Sequence, residues 1–189
     1  MAWWDEMAWA HPPAKVVADR DGLHVVTASK GDYWRQTFYG FTHDNGHFLH
    51  RSAGADFTAE ARFDGHYQAL YDQAGLMIRL DAQHWIKAGI EFVGGVVHVA
   101  VVVTNGMSDW SQMPLPAAEG DFRLRLTRAG DAVWVQYGLA DAWKMVRLAW
   151  FPPGQPVTVG PMCCSPSRAG FAVTFKDFTL GPVVSHKPY

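Results

Sequence analysis

The sequence predicts an all-β fold, a two-sheet antiparallel β-sandwich, and three observations predict it. Short segments that alternate apolar and polar residues recur along the chain, separated by turn signals every 8–15 residues. Helical periodicity of any length is hard to find. In the middle of the chain, Gln73–Leu80, Trp85–Val93 and Val96–Thr104 follow one another with their apolar positions in phase.

The elements follow in order. Residues 1–15 hold two prolines and three tryptophans and read as an extended strap laid over a sheet. Leu23–Ala28 is the first strand, and Asp32–Phe41 reads as the second. Asn45-Gly46 is a strong two-residue hairpin signal within Thr42–Leu49. Asp56–Phe63 alternates cleanly. Gly94-Gly95 is a tight turn that joins two of the central segments. Phe122–Thr127, the turn Arg128–Asp131 and Ala132–Tyr137 form a further hairpin. Trp143–Phe151, Val157–Met162 and Gly170–Leu180 complete the chain, and the last can pair with the N-terminal region.

Register follows from the turn and from burial, because a one-residue slip exchanges the two faces of a strand. Setting Val93 opposite Val96 places Glu91 opposite His98, Gly89 opposite Ala100, Lys87 opposite Val102 and Trp85 opposite Thr104. Ile86, Ala88, Ile90 and Phe92 then share a face with Val97, Val99, Val101 and Val103, which must be the inter-sheet core. Keeping Leu76, Ile78 and Leu80 with that core sets Gln73 beside Glu91, Met77 beside Lys87 and Arg79 beside Trp85. The other face therefore carries a row of Gln73, Glu91 and His98, with Lys87, Trp85 and Arg79 further along.

Composition bounds the function. At 189 residues, 49% apolar and 18% charged, the chain reads as one globular domain spanning 1–189. The net charge of −2 and the lack of a Lys/Arg stripe argue against a nucleic-acid partner. No apolar run reaches membrane-spanning length, and the N-terminus does not read as a signal peptide. Cys163 and Cys164 are neighbours, poorly placed for a disulfide and too few for a zinc site, so they read as reduced thiols in a cytoplasmic protein. Nine tryptophans fit either a core of large rings or a face on which sugar rings stack.

The segments Asp32–His47, Asp56–Tyr67, Leu70–Phe92 and Val102–Ser111 resemble an uncharacterised family of the concanavalin A-like lectin/glucanase superfamily that carries a "regulation of enolase" label. The resemblance runs from about Trp9 to Leu180. It implies a jelly-roll sandwich of two curved sheets and implies little about chemistry, since fold does not dictate function.

The candidate ligand-binding residues are Gln73, Arg79, Trp85, Lys87, Glu91, His98, Asp109 and Trp110, with Glu91 as the candidate acid/base. Trp85 and Trp110 are expected to stack on a ligand, and the polar residues to hydrogen-bond it. Asp109 and Trp110 lie in Ser108–Ser111, where the aspartate serves equally to cap a turn. In the glucanase pattern acidic residues alternate along one strand, but Val93 and Gly95 follow Glu91 at those positions, so a second carboxylate would have to come from Asp72 or Asp109. His43, His47 and His50 crowd around the Asn45-Gly46 turn, where a metal would want two or three of them on one face with a carboxylate, a use less common for a turn than plain polarity, and no dense Asp/Asn loop of the calcium-binding kind is found. No metal and no cofactor is expected. The first expectation is a carbohydrate-binding domain that uses its concave sheet. The alternatives are an enzyme acting on a glycoside or sugar phosphate, with Lys87 or Arg79 holding an anion, and a regulatory module that binds a metabolic enzyme.

Overall fold

The computed structural model describes residues 2–115, 121–139, 142–184 and 187. Sixteen strands are present among them: β1 (Ala8–Ala10), β2 (Lys15–Asp19), β3 (Gly22–Val26), β4 (Tyr33–Arg35), β5 (Thr42–Asp44), β6 (His47–Ala53), β7 (Phe57–Gly65), β8 (Gln73–Arg79), β9 (His84–Val93), β10 (Val96–Asn105), β11 (Met107–Pro114), β12 (Phe122–Ala129), β13 (Ala132–Leu139), β14 (Ala142–Trp150), β15 (Val157–Cys164) and β16 (Ala172–Gly181). They form two seven-stranded antiparallel sheets, ordered β1-β6-β15-β8-β9-β10-β11 and β14-β13-β12-β7-β16-β3-β2, and a two-stranded flap, β4-β5. The sandwich predicted from alternation is the fold observed.

The central register is the predicted one: His98 faces Glu91, Val102 faces Lys87, Gln73 faces Glu91 and Met77 faces Lys87. Gly94 and Gly95 adopt φ of 61° and 84°, the left-handed pair that a two-residue turn between twisted strands requires. Leu76, Ile78, Ile86, Ala88, Ile90, Val99, Val101 and Val103 lie in the core between the sheets, opposite Phe63, Leu124, Leu126 and Phe175. β16 pairs with β3, as the alternation of Gly170–Leu180 allowed, and also with β7.

Three local expectations are corrected. Asp32–Phe41 is not one long strand, because only Tyr33–Arg35 is extended. The chain then turns through Gln36, Phe38 and Gly40, all at positive φ, and returns as β5. Asn45-Gly46 does not close a hairpin, since β5 pairs with β4 and β6 pairs with β1 and β15. It is a corner, where both backbone N–H groups donate to the Asp32 carbonyl and the Tyr33 hydroxyl donates to the Gly46 carbonyl at 2.6 Å. The N-terminal segment does not lie over a sheet face. β1 extends the first sheet beside β6, and Trp3, Trp4, Met7 and Trp9 pack against the main core.

The flap creates a second core on the outer face of the first sheet. Tyr33 and Trp34 descend onto Phe48, Met77, Trp85, Val102, Met162 and Cys164. Two ion pairs fasten it there: Arg79 grips Asp44 with two bonds of 2.6 and 2.7 Å, and Lys87 reaches Asp32 at 3.0 Å. At the far end, Arg35 Nε donates to the Gly106 carbonyl, and the Arg35 backbone N–H donates to Ser108 Oγ. A layer that sequence reading leaves open is therefore half covered.

Candidate functional site

Where the flap stops covering the sheet, a pocket of about 270 Å³ opens. Its floor comes from the central strands: Gln73 on β8, Lys87 and Glu91 on β9, and Val102 on β10. Asp32, at the root of the flap, completes the polar base. Trp34, Tyr39, Phe41 and His43 of the flap, Tyr71 ahead of β8, Trp110 of β11 and Pro166 form the walls. Strand alternation explains the floor, because 87 and 91 share a face, as do 102 on β10 and 110 on β11, which are partnered in register.

The polar base is buried and largely engaged. Gln73, Lys87 and Glu91 are 4%, 4% and 6% exposed, a level at which charged groups need partners. Asp32 Oδ1 accepts hydrogen bonds from the Tyr33 backbone N–H at 2.8 Å, Lys87 Nζ at 3.0 Å and Gln73 Nε2 at 3.4 Å. Glu91 Oε2 accepts from the Trp110 indole N–H at 2.9 Å. Burial raises the Glu91 pKa above its ordinary 4.5, and Asp32 adds to the shift, while Lys87 and the Trp110 N–H only partly oppose it. For Lys87, burial works against the charge, but the Asp32 carboxylate, helped by Cys164 and Glu91, outweighs it and holds the ammonium above its ordinary value.

The walls carry their own constraints. Tyr71 sits at φ 67°, a conformation that bulky residues rarely adopt, and its ring stands edge-on to Trp110. A hydrogen bond with Tyr39, aided by burial, pushes the Tyr71 hydroxyl up to about 12. Tyr39 stacks on Phe41 with centroids 5.3 Å apart and meets Trp34 edge-on. The walls from the flap and from β11 thus lean on one another across the mouth.

The structure brings together four of the eight expected site residues: Gln73, Lys87, Glu91 and Trp110. Trp85 is corrected as a stacking platform. It is 1% exposed and lies beneath Tyr33, so neither ring face is free. Arg79 is on the expected face but is committed to Asp44. His98 stands opposite Glu91 in register but outside the pocket, where Nδ1 pairs with the Val96 carbonyl. Asp109 points away from the pocket and pairs with Arg147 at 2.9 Å. The alternation of β11 forbids Asp109 and Trp110 from serving one face. Asp72 is fully buried and held by Ser165, Arg168 and the N–H groups of Gln68 and Ala69, which makes it a structural anchor of its loop. His47 is bonded through both ring nitrogens to backbone, at His11 and Ala28.

Sequence patterning does not single out Asp32, Trp34, Tyr39, Phe41 and Tyr71 as a group. The available signal was the aromatic density of Asp32–Phe41, which a strand reading spreads over two faces.

The raised Glu91 pKa makes a stability prediction. Between the unfolded-state value and the higher folded-state value, the native protein binds the extra proton, so stability falls as pH rises through that window. Glu91→Gln removes the effect and keeps an acceptor for Trp110. The variant is expected to melt above the wild type at pH 7, with the gain shrinking toward about pH 4. Melting curves of both proteins at the two pH values check it, and a gain that does not change with pH would refute it.

The family described as "Protein of unknown function (DUF1349)" matches residues 9–183. "Regulation of enolase protein 1" of Saccharomyces cerevisiae is 44% identical over 173 residues, which cover 91% of this chain and 87% of that protein. A crystal structure of a functionally unknown protein from Saccharomyces cerevisiae superposes with a TM-score of 0.92 at 42% identity, covering 96% of this chain and 99% of that one. The carbohydrate-binding module CBM66 from Bacillus subtilis superposes with a TM-score of 0.57 at 16% identity over 94% of this chain and 97% of that one, a likeness of fold alone. The fold is thus a two-sheet antiparallel β-sandwich shared with these structures, and the chain belongs to the DUF1349 family.

Proposed function

We propose that this chain is a carbohydrate-binding domain that takes a small saccharide into the pocket on the outer face of its first sheet. The observation that carries the reading is the convergence of Asp32, Gln73, Lys87 and Glu91 beneath walls of Trp34, Tyr39, Phe41, Tyr71 and Trp110. Stacking on a ring combined with a few fixed polar groups is how a pocket holds and orients a polyhydroxylated ring. The fold likeness to a carbohydrate-binding module supports the same reading. Two free, buried cysteines are in keeping with a cytoplasmic setting, and we read 1–189 as one domain.

The test is a thermal-shift screen of mono- and oligosaccharides, repeated with Trp110→Ala. A ligand at 100 times its Kd should stabilise the fold by about 2.7 kcal/mol. Trp110→Ala should weaken the same ligand by about tenfold or more, because it removes both a wall and the N–H on Glu91. Unchanged affinity in a folded variant would remove the pocket from the reading.

A second reading, an enzyme acting on glycosides, is favoured by one observation. Asp32 supplies the second carboxylate that strand alternation on β9 did not, and Glu91 is biased toward its protonated form. A third, binding of a metabolic enzyme, draws on the name of the yeast relative and on Phe38, which is 94% exposed at the tip of the flap. Turnover of a bound glycoside lost in Glu91→Gln would select the former, and enzyme capture lost in Phe38→Ser the latter.

A further inference from the structure

Resting on the carbohydrate reading, we infer that the pocket selects neutral sugar units, gripped through neighbouring hydroxyl groups, and excludes sugar phosphates and other anionic sugars. The argument is a count of charge and of unspent hydrogen-bonding capacity. Among the lining residues the charged side chains are Asp32, Lys87 and Glu91, and His43 is the one other basic group. The charge of Lys87 is balanced by Asp32 at 3.0 Å, and that pair is neutral. Glu91 is left over, held by an indole N–H and, among the described residues, by no cation within ion-pair distance. Arg79, the guanidinium expected on this face, is bound through both terminal nitrogens to Asp44. A phosphate entering here meets two carboxyls and, among the lining residues, no Lys or Arg whose charge is not already balanced.

The unspent capacity fits hydroxyls. All the hydrogen bonds that Asp32 accepts from described side chains fall on Oδ1, and the bond to Glu91 falls on Oε2. Among the described residues, Asp32 Oδ2, Glu91 Oε1 and Gln73 Oε1 accept no hydrogen bond at the base of the pocket, and Lys87 Nζ uses one of its three donors. Adjacent hydroxyls of a sugar ring, each both donor and acceptor, match this set: they donate to the carboxyl oxygens and accept from the ammonium. The phosphate group of a sugar phosphate, which near pH 7 offers essentially acceptors and carries negative charge, matches only Lys87 and is repelled by the carboxylates.

The experiment is calorimetric titration of wild type, Glu91→Gln and Asp32→Asn at pH 7. The probes are glucose, mannose, galactose, xylose, arabinose and their methyl glycosides, set against the phosphates of the same sugars. Wild type is expected to bind at least one neutral sugar at least tenfold tighter than its phosphate. Glu91→Gln should weaken that neutral sugar by about 10- to 100-fold, the worth of a charge-assisted hydrogen bond. Asp32→Asn frees the Lys87 charge and should reverse the preference toward the phosphate. If that variant fails to fold, Glu91→Gln alone decides, because loss of its negative charge must narrow the neutral-over-phosphate ratio. A phosphate that binds wild type tighter than its parent sugar would overturn the inference and leave the carbohydrate reading standing. A wild type that binds neither set would overturn both.

Discussion

Lys87→Met is expected to destabilise the protein by about 3–5 kcal/mol, read as a shift of the urea midpoint at pH 7. The residue is 4% exposed, and its ammonium is the partner of Asp32 and the cation that most favours the Glu91 charge. Methionine fills the same space, so the loss is electrostatic: a buried carboxylate left without its cation costs far more than the pair was worth. The ion pair also anchors the root of the flap, so the variant loosens Tyr33 and Trp34 over Trp85. A triple variant with Asp32→Asn and Glu91→Gln added should recover most of the loss, because it removes the stranded charges. A loss below about 1 kcal/mol in the single variant would mean that water reaches both carboxyls through the mouth of the pocket.

Gly89→Ala is expected to cost about 3 kcal/mol or more, or to prevent folding. Gly89 and Gly75 are register partners on the two central strands, beneath the polar base of the pocket. A Cβ on Gly89 would fall inside the carbonyl oxygen of Ala74 and 2.7 Å from the Gly75 Cα, and a Cβ on Gly75 would collide in the same way with the Ala88 carbonyl. Backbone cannot swing aside as a flexible side chain can, so the strands must separate where the site is built. Gly54→Ala is the control. Nothing lies within 4 Å of its Cβ, and its stability should stay within about 0.5 kcal/mol of wild type. Equal urea midpoints for the Gly89 and Gly54 variants would show that the sheet relaxes around the methyl group.

Local residue patterning is enough to set the central strands and their register. Period-two alternation over three consecutive strands, joined by a glycine pair competent for positive φ, leaves one register that buries Ile86, Ile90, Val99 and Val101 together. Placing Gln73, Lys87 and Glu91 on a common outer face follows from that register alone. What covers the face was decided by tertiary structure. The flap pairs through three residues a strand, too few for a periodic signal, and it turns through Gln36 and Phe38 at positive φ, where glycine would have announced a turn. Its seating rests on contacts between residues far apart in the chain, Asp32 with Lys87 and Asp44 with Arg79. Those contacts bury Trp85, neutralise both cations, and carry Trp34, Tyr39 and Phe41 to the rim. Alternation reports which side of a sheet a residue takes, because that is local backbone geometry. It is silent on which residues of that side meet water, because that depends on a second layer folding back from elsewhere in the chain.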